Sequence, residues 1–235
     1  MIYLLYGDDD FTIDEALVTL RSEVGLPDVR DVNTAAFDAA VSRAEMMATC
    51  DTVPFLADKR LVIVRGLLTR FERHRPSRSR SKSDSATAGL GEWEGLSEYL
   101  ERVPETTDLV FVDSALDASN PLLKAVQPHA NSRLFSRPNP KELRQWIRSR
   151  VASLGADIES KAVDELAETI GGDLRIIDME LQKLSLYRWG ETVRHEDVQE
   201  MVSYARECNV KEFILILLPQ IMMPILVLTF LQEDQ

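Results

Sequence analysis

The chain has 235 residues, with 27 Lys and Arg against 39 Asp and Glu, for a formal net charge of −12. Its 45% hydrophobic and 28% charged residues are the proportions of a soluble globular protein, which excludes disordered, collagen-like and multi-span membrane classes. Two cysteines, Cys50 and Cys208, exclude a disulfide scaffold and a Cys-rich zinc site, and the acidic balance argues against wholesale coating of nucleic acid. The N-terminus has neither a basic region nor a long apolar stretch, so it does not read as a signal peptide and a cytoplasmic location is the default expectation.

Ile2 to Tyr6 is a short apolar run that ends at Gly7 and reads as a buried strand entering a turn. Ile13, Ala16, Leu17, Leu20 and Val24 then recur at the spacing of one helix face. Residues 28–33 are expected to form a second strand, and the Ala- and Met-rich residues 37–50 a helix. Leu61 to Val64 is a continuous apolar run, the pattern of a buried third strand. Residues 93–102 read as a helix with Leu96, Tyr99 and Leu100 as its apolar stripe, and Leu109 to Val112 as a fourth strand ending at Asp113. Residues 121–127 form a short predicted helix with Pro near its start, where a missing N–H costs little. Arg133 to Ser136 supplies a fifth strand. Five apolar strands separated by helices predict an α/β domain with a parallel sheet covered on both faces.

Residues 71–91 interrupt this pattern with RHRPSRSRSKSDSATAG, which has no apolar periodicity and reads as a flexible basic insertion. A solvated insertion is favoured there over a nucleic-acid contact. From Pro138 onwards the pattern is all-helical: Leu143, Trp146, Ile147, Val151 and Leu154 form one face, and Val163, Leu166 and Ile170 the next. Asp173 is placed to cap a third helix carrying Leu174, Ile177, Leu181 and Leu184, and a fourth face comprises Val198, Val202 and Ala205. The expected division is a sheet domain over residues 1–138, a small helical bundle over 139–208 and an apolar remnant over 209–235. Within that remnant, residues 213–232 (FILILLPQIMMPILVLTFLQ) are long enough to span a bilayer but are interrupted by Pro219, Gln220 and Pro224. A buried segment or an altered tail is the favoured reading and a membrane span the weaker one.

A parallel sheet whose first strand ends at a glycine turn invites comparison with the P-loop. That motif uses glycine amides to cradle phosphates, a Lys to neutralise them and a hydroxyl for Mg²⁺. Gly7 fits the first position, but Thr12 stands for the second Gly, Ile13 for the Lys, and Asp14 for the Ser or Thr. Asp8, Asp9 and Asp10 occupy the place of the phosphates and would repel a triphosphate. Val64 is followed by Arg65, not by the acid a nucleotide site needs. The aspartates read instead as including the N-cap of the first helix. No nucleophile–base pair stands out, and no cofactor or metal is expected.

At this point three stretches resemble the delta subunit family of the bacterial DNA polymerase III clamp loader. They are YLLYGDDDFTIDEAL at the N-terminus, DTVPFLADKRLVIVRG over residues 51–66, and GGDLRIIDMELQKLSLYRWGETVRHEDV over residues 171–198, which includes Glu180, Lys183, Leu184 and Tyr187. FVDSALDASNPLLKAV, from Phe111, fits the region between. The resemblance implies a divergent AAA+ (RecA-like) domain without a functional P-loop, followed by a helical lid. It implies a non-catalytic component of the DNA-directed DNA polymerase III holoenzyme that binds the sliding clamp (beta) and opens it for loading onto primed DNA during replication. Neighbouring gamma/tau and delta prime subunits would be its partners, and the neighbours would use the ATP. The family's clamp contact, an apolar pair at a helix tip before the third strand, falls on Val53, Pro54, Phe55 and Leu56, with Pro54 and Phe55 matching best. The residue-level alternative is that Phe55 and Leu56 tuck under the sheet. The family's collar domain would follow the lid, and the apolar tail does not look like its start.

A basic strip, Arg133, Arg137, Lys141, Arg144, Arg148 and Arg150, is a second candidate surface. Arg137, Lys141, Arg144 and Arg148 are candidates for contact with DNA phosphates or a neighbouring subunit, weighed against a plain solvated helix face. The competing functions are an active P-loop-type ATPase and a membrane-tethered adaptor using residues 213–232.

Overall fold

The computed structural model describes residues 1–72 and 90–207. The core of the basic insertion and the apolar tail, both singled out above, lie outside the described residues. The chain divides into two compact units, Met1–Arg137 and Pro138–Gln235.

In the first unit, β1 (Ile2–Gly7), β2 (Thr34–Phe37), β3 (Arg60–Arg65), β4 (Thr107–Asp113) and β5 (Asn131–Phe135) form one parallel sheet in the order β2-β3-β4-β1-β5. β4 lies between β3 and β1, and the parallel five-stranded α/β sheet that the apolar runs predict is the one observed. Because all five strands run the same way, Gly7, Arg65, Asp113 and Phe135 gather at one end of the sheet, and Thr34, Arg60 and Thr107 at the other.

Alternate residues of each strand feed two cores. Leu4, Val62, Val64, Leu109 and Phe111 pack with Met46 and Cys50 of α3 (Arg43–Cys50), Leu96, Tyr99 and Leu100 of α4 (Leu96–Leu100), and Leu122, Leu123 and Val126 of α5 (Pro121–Val126). On the other face, Leu5, Leu61, Ile63, Val110 and Val112 pack with Ile13 and Leu17 of α1 (Asp10–Ser22) and with Val24. Strands buried on both faces explain the continuous apolar runs of β3 and β4.

Four local expectations are corrected. Residues 28–33 are not a strand: Pro27, whose fixed φ suits a first helical turn, opens the short α2 (Pro27–Arg30), and β2 begins at Thr34. Phe37 closes that strand and does not start a helix; α3 starts at Arg43, because the Ser42 hydroxyl caps it by accepting from the Glu45 amide at 3.2 Å. Trp93 lies in a 3₁₀ turn (Gly91–Trp93) ahead of α4, with its ring buried. Phe71 and Leu90, read as part of the flexible insertion, are partly buried against the first core.

The second unit holds α6 (Pro140–Ser153), α7 (Ser160–Ile170), α8 (Leu174–Tyr187) and α9 (His195–Glu207). Asn139 and Glu142 form a reciprocal capping box at the start of α6, and the Asp173 carboxylate caps α8 by accepting from the Ile176 amide at 3.1 Å. Leu143, Ile147, Val151, Val163, Leu166, Ile177, Leu181, Leu184, Val198 and Val202 are all buried, as their helical spacing predicts. A two-stranded parallel ribbon, β6 (Asp157–Ile158) with β7 (Thr192–Val193), was not foreseen; two-residue strands carry no periodicity to read. Of the residues that carried the resemblance here, Leu184 is core, Glu180 is buried beside the Lys183 ammonium at 2.6 Å, and Tyr187 is exposed.

Candidate functional site

The turn after β1 is closed by its own chain. The amides of Asp8 and Asp9 both donate to the Phe135 carbonyl, at 2.9 and 3.1 Å. The Asp9 carboxylate, nearly buried, accepts from the Thr12 amide at 3.1 Å and the Thr12 hydroxyl at 2.6 Å. A helix N-terminus attracts anions because its first amides lack partners. Here one carboxylate of the chain already occupies that position, so Asp9 is the N-cap of α1. Gly7 sits at φ +144°, and a Cβ there would fall on the Phe135 carbonyl oxygen. Ile13, at the Lys position of a P-loop, is buried in the core. Arg65 at the end of β3 pairs with Asp14 at 3.2 Å. Asp113 at the end of β4 accepts from the Leu68 amide at 2.9 Å, the Thr69 amide at 3.0 Å and the Thr69 hydroxyl at 2.6 Å. Burial pushes the Asp113 carboxyl up from its ordinary range, against these bonds, which pull it down. Every polar group named at this end of the sheet is engaged within the protein.

The opposite end presents the connection from α3 to β3. Its near side is pinned: the Thr107 hydroxyl donates to the Cys50 carbonyl at 2.7 Å, and the Tyr99 hydroxyl to Asp51 at 2.9 Å. Its far side is held by Lys59, whose ammonium meets the buried Asp108 at 2.9 Å. Between these anchors Val53, Phe55 and Leu56 are 80%, 57% and 77% exposed, and Pro54 is partly buried. Phe55 and Leu56 therefore do not tuck under the sheet. Leu56 has φ +50°, a left-handed conformation costly for a branched side chain, and among the described residues no other non-glycine adopts a positive φ. Leu26 and Val32 are also exposed, and a Cβ added at Gly25 would lie 3.8 Å from the Ala57 methyl. Beneath the tip Cys50 is fully buried, and burial pushes its thiol up to about 12, which keeps it neutral and unreactive.

The basic strip does not stay together as one free surface. Arg144 donates to Asp164 at 2.5 Å and lies 3.7 Å from Glu168, and Arg150 pairs with the buried Asp178. Lys141 and Arg148 are exposed on α6. In the first unit Arg133 and Arg137 are exposed, with Arg137 Nε 3.4 Å from the Asp8 carbonyl.

Compared with known proteins, residues 3–133 match the family model described as DNA polymerase III, delta subunit. The chain belongs to that family. A second model, described as a middle domain, matches residues 139–200 of this delta-family chain. The DNA polymerase III subunit delta of Bacillus subtilis is 25% identical over 219 residues, which is 91% of this chain and 60% of the relative. The delta-family chain thus spans about 60% of the length of that curated relative. A solved structure, the Bacillus subtilis DNA clamp loader delta protein, superposes with a TM-score of 0.67 at 22% identity, over 100% of this chain and 68% of that one. That likeness shows the fold.

One residue of the tip was missed in the sequence. Asn33, buried completely, reaches the Phe55 backbone from 22 positions away. Nothing in its neighbourhood, Asp31-Val32-Asn33-Thr34, distinguishes it from an ordinary loop asparagine.

Proposed function

We propose that this chain is a clamp-loader delta subunit that binds the sliding clamp through Val53, Pro54, Phe55 and Leu56 and opens it at one interface for loading onto primed DNA. The observation that carries this is a rigidly anchored tip whose side chains are apolar and exposed. An aromatic anchor on a short loop fills a hydrophobic pocket and supplies several kcal/mol, and Pro54 limits the entropy lost on docking. Tip binding supplies the opening work only if the clamp's open form offers the better fit, since a ligand shifts an equilibrium by its differential affinity.

ATP hydrolysis falls to neighbouring subunits of the gamma/tau type, with delta prime completing the assembly. The closed turn at Asp8 and Asp9 supports this division of labour, because its amides and helix N-terminus already have partners. Arg137, Lys141, Arg144 and Arg148 are the cations we assign to DNA or a neighbouring subunit, although Arg144 also bonds Asp164 and Arg137 the Asp8 carbonyl. Among the described residues no helix is long and apolar enough to cross a membrane.

The test is calorimetric titration of the full chain with a purified bacterial sliding clamp, with and without ATP. Micromolar or tighter binding that does not change with ATP is the expected result. A folded chain that ignores the clamp refutes the proposal; binding that appears only with ATP refutes the division of labour.

A further inference from the structure

We propose that Asn33 is the positioning residue of the contact tip, its carboxamide holding Phe55 in the conformation that docks. This rests on the clamp-contact reading of the tip. Asn33 Oδ1 accepts from the Phe55 amide at 2.7 Å, and Asn33 Nδ2 donates to the Phe55 carbonyl at 2.7 Å. The other Nδ2 hydrogen goes to the Val29 carbonyl at 2.8 Å. The Asn33 backbone carbonyl meanwhile accepts from the Leu61 amide at 2.8 Å, at the start of β3. One side chain thus ties the tip to α2 and, through its own backbone, to the sheet.

Both backbone groups of Phe55 are paired by one rigid planar amide, so rotation on either side of its Cα is restrained. The following residue, Leu56, is in the left-handed region, where an unrestrained loop would relax toward commoner conformations. Phe55, 57% exposed, stands on a backbone fixed from below, so that the ordering cost is met on folding, not on binding.

Asparagine satisfies this geometry where aspartate, leucine and serine do not. Two donors and one acceptor are used, which fixes the orientation of the amide. Aspartate would set a carboxylate oxygen against the Phe55 and Val29 carbonyls. Leucine keeps the shape but leaves the Phe55 amide and carbonyl unpaired. Serine is too short to reach both.

The test uses the full chain. Amide hydrogen exchange read by NMR should show the Phe55 amide protected in the unaltered protein and exchanging roughly tenfold or more faster in Asn33→Leu. Surface resonance against a purified sliding clamp should show Asn33→Leu binding about tenfold more weakly, chiefly through faster release. Asn33→Ser serves as the gentler variant. Phe55→Ala is run beside them: if it binds like the unaltered chain, or if the unaltered chain does not bind, the clamp reading fails while the exchange data still judge the clasp. An unprotected Phe55 amide in the unaltered protein overturns the positioning role. So does an unchanged release rate in a folded Asn33→Leu, and so does loss of fold in both Asn33 variants, since a positioning residue leaves its unit folded.

Discussion

The two ends of the five-stranded sheet start from similar material, a short polar-to-apolar connection between a strand and a helix, and reach opposite outcomes. At the end of β1, the Asp8 and Asp9 amides, the Asp9 carboxylate and the Gly7 backbone all turn inward to Phe135 and Thr12. In the connection leading into β3, Asn33 pairs both backbone groups of Phe55, yet Val53, Phe55 and Leu56 are left facing solvent. Satisfying the polar groups of a loop is thus separate from burying its side chains. One end pairs the donors of its turn internally, whereas the other holds the Phe55 backbone and leaves apolar side chains exposed.

The largest expected effect comes from breaking the closed end. Gly7→Val sets a β-branched side chain at φ +144° against the Phe135 carbonyl and should cost about 3 kcal/mol or more, measured by urea unfolding followed at buried Trp93. Next is Phe55→Ala at the open end. It should weaken clamp binding by about 2–4 kcal/mol in calorimetry while shifting unfolding by less than about 0.5 kcal/mol, as befits an exposed side chain. Comparable losses of stability and binding would place Phe55 in the core and end the contrast between the two ends. Asp9→Ala removes the cap of α1 and should cost about 1 kcal/mol of stability without creating ATP binding in an equilibrium titration. If ATP binding appeared, the Asp9 carboxylate would be all that keeps phosphate out.

A subtler comparison concerns two buried carboxylates. Asp197 accepts from the Arg188 guanidinium at 2.6 and 2.9 Å and from the Arg194 amide at 2.8 Å. The Arg188 hydrogen bonds hold its carboxyl below the usual range. Asp113 has only neutral donors, and burial pushes it up. A lowered carboxylate contributes stability that is complete above its unfolded value of about 4 and is lost as pH falls through the folded one. A raised one works the other way, its contribution being lost as pH rises through its folded value. Acidification from about pH 5 to pH 3 should therefore weaken the Asp197 unit while Asp113 opposes loss in the sheet unit. Denaturation of single-tryptophan variants keeping Trp146 or Trp93 reads the two separately, and Arg188→Met should flatten the acid response of the Trp146 signal. An unchanged response in that variant would remove Arg188 as its cause.

Much of the architecture was legible before any coordinates. Continuous apolar runs located β3 and β4 because strands covered on both faces need no polar side. The Asp8–Asp10 run, Asp173 and Pro121 marked helix starts through local backbone chemistry, although only the structure picks out Asp9 as the cap; Ile13 stands at the Lys position of a P-loop. The bounds of β2 and α3 are not legible in this way, because Ala-rich segments are ambiguous between edge strand and helix and only the Ser42 cap marks where the helix begins.

What the sequence determined by itself depends on neighbours a few residues away: the α/β pattern followed by helices, the helix starts at Asp173 and Pro121, the departures from a P-loop at Thr12 and Ile13, and the apolar stretch from Val53 to Leu56. Tertiary structure alone decided the strand order, the exposure of Phe55, the grip of Asn33 upon it, and the engagement of Arg144 and Arg150 with their own unit's carboxylates. The physical reason is range. Periodicity and capping are written in a window of one or two helical turns, but whether an apolar side chain finds cover, or a cation a partner, depends on residues brought together from 20 to 50 positions apart, as Asn33 with Phe55 at 22 and Lys59 with Asp108 at 49.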